Sequence, residues 1–134
     1  MSTVPQVVLD ASVGVKWFRD EPGSADARDL LLAHGRGEAQ LVVASLFVYE
    51  VVGVATRTMS APDARDFWER FMSWRLGVRE VGGQLVSDAL AVRERIGCSF
   101  YDALAPALAA QLGAQFVSAD HRAHGEWPGV VLLR

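Results

Sequence analysis

Four acidic residues carry the chemistry legible in this chain. Glu50 lies in Leu46-Phe47-Val48-Tyr49-Glu50-Val51-Val52-Gly53-Val54, where nearly every neighbour is apolar. Burying an unpaired carboxylate costs several kcal/mol, so Glu50 must be neutralised or face a wet crevice. A structural ion pair with Arg57 is the plain alternative, and Gly53 on the same face would leave space beside the carboxylate. Asp10 closes the run Gln6-Val7-Val8-Leu9, where aspartate also serves to cap a following turn. Asp102 stands three residues after Ser99, the spacing of a helix-start capping arrangement. Asp120, in Ser118-Ala119-Asp120-His121-Arg122, could be an ordinary turn residue. Each acid has a structural explanation when taken alone.

Taken together, the four belong to four different elements and would converge on one crevice. Like charges about 4 Å apart repel by roughly 4 kcal/mol even at an effective dielectric near 20. Such a cluster requires raised pKa values or a cation. Oxygen ligands without nearby Cys or His favour Mg²⁺ or Mn²⁺ over zinc. A hard cation held by carboxylates keeps water in its shell and meets phosphate oxygens, which is the chemistry of phosphodiester hydrolysis.

The elements that must position these acids follow from the alternation of short apolar runs with longer amphipathic ones. Strands are expected at Gln6–Leu9, Leu41–Val43, Val78–Val81 (weakly), Gln115–Ser118 and Val130–Leu133. Ser12 is expected to cap a short helix through Phe18, ended by Pro22-Gly23. Further helices are expected from Ser24 to Gly35, Ser45 to about Thr58, Ser60 onward through Phe67, Trp68, Phe71 and Trp74, Val86 to Ile96, and Ser99 to Gly113. The aromatics at helical spacing suit a core, with some able to form a dimer face. Strands alternating with helices imply a parallel sheet covered on both faces. Sites in such sheets form beyond the carboxyl ends of strands. Asp10 and Asp120 should therefore point into one crevice.

At 134 residues the chain fits a single domain, 1–134, and its 51% hydrophobic content excludes a disordered polymer. One cysteine, Cys98, excludes a disulfide framework or a thiolate metal cluster. No apolar run reaches the ~20 residues of a membrane helix, and Met1 to Pro5 lacks the pattern of a leader, so a cytoplasmic protein is expected. The net charge of −3 weighs against bulk attraction to nucleic acid. Of the 13 cationic residues only Lys16 is a lysine, a bias that coding composition explains for most of the arginines. Lys16 and Arg122, just beyond Asp10 and Asp120, could hold phosphates, although solvated surface charges are the simpler reading. His34, His121 and His124 show no pairing pattern for acid–base cleavage, and the last two fall in an expected surface loop.

In order, Val7-Val8-Leu9-Asp10-Ala11-Ser12-Val13, Tyr49-Glu50-Val51, Ser99-Phe100-Tyr101-Asp102-Ala103-Leu104 and Val117-Ser118-Ala119-Asp120-His121-Arg122 resemble the acidic motifs of PIN-domain ribonucleases. The subgroup they look most like is the VapC-type toxins of type II toxin–antitoxin pairs. Each motif is weak singly, but order, spacing and total length together are specific. The resemblance implies a three-layer α/β/α fold with a central parallel sheet of four to five strands. It also implies Mg²⁺ or Mn²⁺ dependence, endonucleolytic cleavage of RNA, homodimerisation, and inhibition by a small antitoxin whose tail occupies the active-site groove. By that likeness Asp10 and Asp102 are the most direct metal ligands, and Glu50 and Asp120 complete the site or orient the attacking water. Ser118 stands where the family usually has Thr, and Ser12 matches a common hydroxyl; both would support the ligands.

The chain departs from the family pattern at two places. Gly53 stands where the family often has Asn, which removes one supporting hydrogen bond. Pro106 falls inside the helix carrying Asp102, where it removes a backbone bond, should kink the axis and could tilt the acid. These departures motivate the alternative of a catalytically silent PIN-fold interaction module. A response-regulator receiver is disfavoured, since no lysine follows the late strands.

Overall fold

The computed structural model describes residues 4–134; the residues Met1–Thr3, read above for a leader, lie outside them. Five strands form one wholly parallel sheet: β1 (Gln6–Leu9), β2 (Gln40–Ala44), β3 (Gly77–Arg79), β4 (Gln115–Ser118) and β5 (Val131–Leu132). Their order is β3-β2-β1-β4-β5. Val7 pairs with Leu41 on one side and Gln115 on the other; Val8 pairs with Val42 and Phe116. The chain steps outward from β1 to β3, then returns to place β4 on the far side of β1. This reversal opens a crevice between β1 and β4 at their carboxyl ends.

The alternation of a pleated strand divides the apolar residues between two faces. Val7, Leu9, Leu41, Val43 and Val117 pack against α1 (Ala11–Gly14), α2 (Ser24–Gly35), α3 (Ser45–Thr58) and α4 (Ala61–Trp74). Val8, Val42, Ala44 and Phe116 face α5 (Gly83–Ile96) and α6 (Phe100–Leu112). The result is a three-layer α/β/α arrangement, with a short α7 (His121–His124) after β4. The aromatic stripe of α4 enters the first of these cores. Phe67 and Phe71 are buried, Trp74 meets Trp17 edge-on at 5.4 Å, and Trp68 stacks on Phe71 at 5.6 Å.

Helix boundaries follow cap chemistry. Ser60 Oγ accepts the Asp63 amide at 3.2 Å and Ser99 Oγ accepts the Asp102 amide at 3.1 Å. Gly97 and Gly113 end α5 and α6 in the left-handed conformation, at φ 73° and 60°. Three expectations need correction. The first helix is capped by Asp10, whose Oδ2 accepts the Ser12 amide at 3.0 Å, and it tightens into a 3-10 turn at Val15–Trp17 rather than running to Phe18. The edge strand β3 stops at Arg79, because the Val81 amide donates to Ser45 Oγ (3.3 Å) and so leaves the ladder. β5 keeps only two of the four residues expected to be extended.

Lys16 is not a solvated charge. It is 5% exposed, and its Nζ donates to Glu21 Oε1 (3.1 Å) and the Pro22 carbonyl (2.6 Å), tying the 3-10 turn to the loop before α2. His34 is structural too: its Nδ1 accepts the Leu41 amide (3.1 Å) while Nε2 donates to the Trp74 carbonyl (2.8 Å). Among the described residues no helix is long and apolar enough to cross a membrane.

Candidate active site

The carboxyl ends of β1 and β4 bring their acids to adjacent positions. The Asp10 amide donates to the Val117 carbonyl at 3.0 Å, so the chain leaving β1 stays stitched to β4 one residue beyond the strand. Asp10 is half-buried and lines a small cleft with Glu50 and Tyr101. Glu50 projects from α3 into the same space. Its side of the helix is exposed at the crevice, which resolves how an acid survives in so apolar a segment.

The structural alternatives for these acids can be checked directly. Among the described residues the ion pairs are Lys16–Glu21 and Arg28–Asp20, so Glu50 is not paired with Arg57. The Arg57 guanidinium instead lies beside Gly53, 3.6 Å from where a Cβ would stand, partly filling the space expected there. Asp102 completes only half of a capping arrangement: its amide goes to Ser99, while its carboxylate makes no hydrogen bond among the described residues. Asp10 and Asp120 both cap. Asp120 Oδ1 accepts the Ala123 amide at 3.0 Å, which occupies one oxygen and leaves the other available.

Electrostatics report which acids face one another. The Glu50 carboxyl is pushed above the ordinary carboxylate range, first by desolvation and then by the charges of Asp10 and Asp102. The charges of Asp10 and Asp102 thus reach Glu50, although the three do not form a close cluster among the described residues. Asp120 stands at the neighbouring strand end.

Hydroxyls and one imidazole hold this corner. Ser12 Oγ accepts the Ala119 amide (2.9 Å), and Ser118 Oγ, fully buried, accepts the Asp120 amide (3.0 Å). His124 is not in a surface loop. It is the last residue of α7, has 0% exposure, and reaches both Ser118 Oγ (2.6 Å) and the Asp102 main-chain carbonyl (2.7 Å). Sequence reasoning missed it, because nothing in the spacing of His124 signals that it returns beneath Asp102. His121 ties α7 to the carbonyl of Leu133 (2.6 Å), and Arg122 is exposed beside Asp120.

The donor set suits a hydrated hard cation. All its members are carboxylates, and Asp102 and Asp120 keep free oxygens. Among the described residues no three acids are close enough to form a ready-made ligand cluster. A divalent ion that retains several waters needs only one or two direct carboxylates, which this open spacing could supply.

With this geometry established, the comparison with known proteins is direct. The chain belongs to the PIN domain family, whose pattern it matches over residues 7–125. Solved structures of similar fold include a toxin–antitoxin complex from Klebsiella pneumoniae (16% identity, covering 93% of this chain and 95% of that one, TM-score 0.74). They also include VapBC2 from Rickettsia felis bound to a promoter DNA fragment (15% identity, 95% and 96% covered, TM-score 0.72). DNA-bound VapBC from Salmonella typhimurium is similar as well (17% identity, 96% and 97% covered, TM-score 0.72). No curated protein matches the chain in sequence.

Proposed function

We propose that this protein is a Mg²⁺- or Mn²⁺-dependent endoribonuclease, the VapC-type toxin of a type II toxin–antitoxin pair. The observation that carries the reading is that Asp10 and Glu50 line one cleft, where burial first, and then the charges of Asp10 and Asp102, push the Glu50 carboxyl up. Membership of the PIN family and likeness in fold to VapBC assemblies support it.

In this reading Asp10 and Asp102 are the direct ligands, and Glu50 and Asp120 complete the site. A bound divalent ion supplies Lewis acidity toward the phosphate oxygens and offsets the charge that builds there. The protein's own contribution is placement. Asp10 is fixed by the Ser12 amide and Asp120 by the Ala123 amide, while Glu50 would orient the attacking water. Arg122, exposed beside Asp120, is free to meet a flanking phosphate. The partners are an RNA substrate, a small cognate antitoxin and a second copy of the chain.

The test is cleavage of a structured RNA by the purified protein. Activity should require Mg²⁺ or Mn²⁺, stop with excess chelator, and fall more than the roughly 10–100-fold that loss of a supporting partner costs when Asp10→Ala or Asp102→Asn is introduced. Cleavage that persists in chelator removes this reading. A folded chain with neither cleavage nor saturable Mn²⁺ stabilisation would instead establish the silent interaction module.

A further inference from the structure

Asp102 is the third residue of α6, and in a regular helix its carbonyl accepts the amide four residues on. That residue is Pro106, which has no amide hydrogen. The carbonyl is satisfied all the same, by His124 Nε2 at 2.7 Å. A carbonyl only accepts, so Nε2 carries the hydrogen, and Nδ1 shares a hydrogen bond with the Ser118 hydroxyl at 2.6 Å. Ser118 Oγ in turn holds the Asp120 amide at 3.0 Å. The imidazole is fully buried, with its ring edge-on to Phe116 at 5.0 Å.

We propose that His124 is a positioning residue: it replaces the main-chain donor that Pro106 lacks, and so locks the first turn of α6, with Asp102, to the strand end that carries Asp120. The proposal rests on the nuclease reading for its consequence, since what is positioned is a metal-binding acid. The proline and the histidine, 18 residues apart in sequence, form one device. Without the imidazole the Asp102 carbonyl must turn toward water, and the turn bearing the carboxylate rotates with it. With an alanine at position 106 the helix supplies its own amide, and the imidazole becomes dispensable.

A double-mutant cycle tests this coupling. Mn²⁺ binding by calorimetry and melting temperature are measured for the wild type, His124→Phe, Pro106→Ala and the double variant. Phenylalanine keeps the ring against Phe116 but offers no donor. His124→Phe should weaken Mn²⁺ binding about tenfold in the wild-type background. In the Pro106→Ala background it should weaken binding less than about threefold, and the loss in melting temperature should shrink in parallel. Equal losses in both backgrounds, or a His124→Phe chain that binds Mn²⁺ like the wild type, overturn the proposal. Should His124→Phe fail to fold, the double variant must fold; a double variant that also fails overturns it. A wild type that binds no Mn²⁺ overturns the nuclease reading instead, and the coupling is then decided by the melting temperatures alone.

Discussion

Folding disfavours the charged form of Glu50, first through burial and then through the charges of Asp10 and Asp102. An acid whose pKa is raised by folding binds its proton more tightly in the folded state, so ionising it works against the fold. The penalty is absent well below the ordinary value of 4.5, develops as pH rises through the elevated folded value, and persists above it. Glu50→Gln should therefore raise the melting temperature of the metal-free protein at pH 7 and leave it nearly unchanged near pH 4. Saturating Mn²⁺ should reverse the order at pH 7 by stabilising the wild type more. A metal-free Glu50→Gln variant that melts lower than the wild type at pH 7 would contradict this. The tension was legible in sequence, because an acid among Val48, Tyr49, Val51 and Val52 has few reasons to exist. The role of His124 was not: its partners lie 6 and 22 residues away, and only the return of α7 beneath α6 brings them together.

The elements bring these residues within reach of one another by close packing. A Cβ added at Gly14 in α1 would stand 2.6 Å from Phe47 Cζ and 2.8 Å from Val51 Cγ2, so α1 and α3 touch almost backbone to side chain. That contact sets the distance between the segment after Asp10 and the helix carrying Glu50. Gly14→Ala gains up to ~1 kcal/mol of helix propensity. It must also displace Phe47, 3% exposed and clamped between Trp17 and Phe71, at a cost of about 1–3 kcal/mol. The overpacking term is the larger, so chemical denaturation should show a net loss of up to about 2 kcal/mol, and a raised midpoint would refute the contact. Ser99→Ala should cost about 1 kcal/mol through loss of the α6 cap, again by denaturation midpoint. Most boundaries could be read from the chain, since Ser60, Ser99, Gly97 and Gly113 act locally. β3 could not, because its end is decided by Ser45, 36 residues away, capturing the Val81 amide.

At the scale of the whole molecule, a net charge of −3 means that, on the proposed nuclease reading, RNA would be held locally and not by a basic surface. If about three phosphates are engaged, the logarithm of kcat/KM for a single-stranded RNA should fall against the logarithm of salt with a slope no steeper than about −2. A slope near −6 would point to a broad cationic face that the composition does not provide. The layer order and parallel sheet were legible from the alternation of apolar runs. A crevice shared by the ends of the first and fourth strands was expected from Asp10 and Asp120, whereas the strand order that sets β4 beside β1 became plain only in the topology. The claim beneath all of this is that Asp10, Glu50 and Asp102 share one divalent ion. Anomalous diffraction from a manganese-soaked crystal tests it most directly. The account predicts a single strong peak in the cleft within coordinating distance of Asp10 and at least one of the other two acids. Well-ordered acids with no peak among them, or manganese bound only elsewhere, would contradict it.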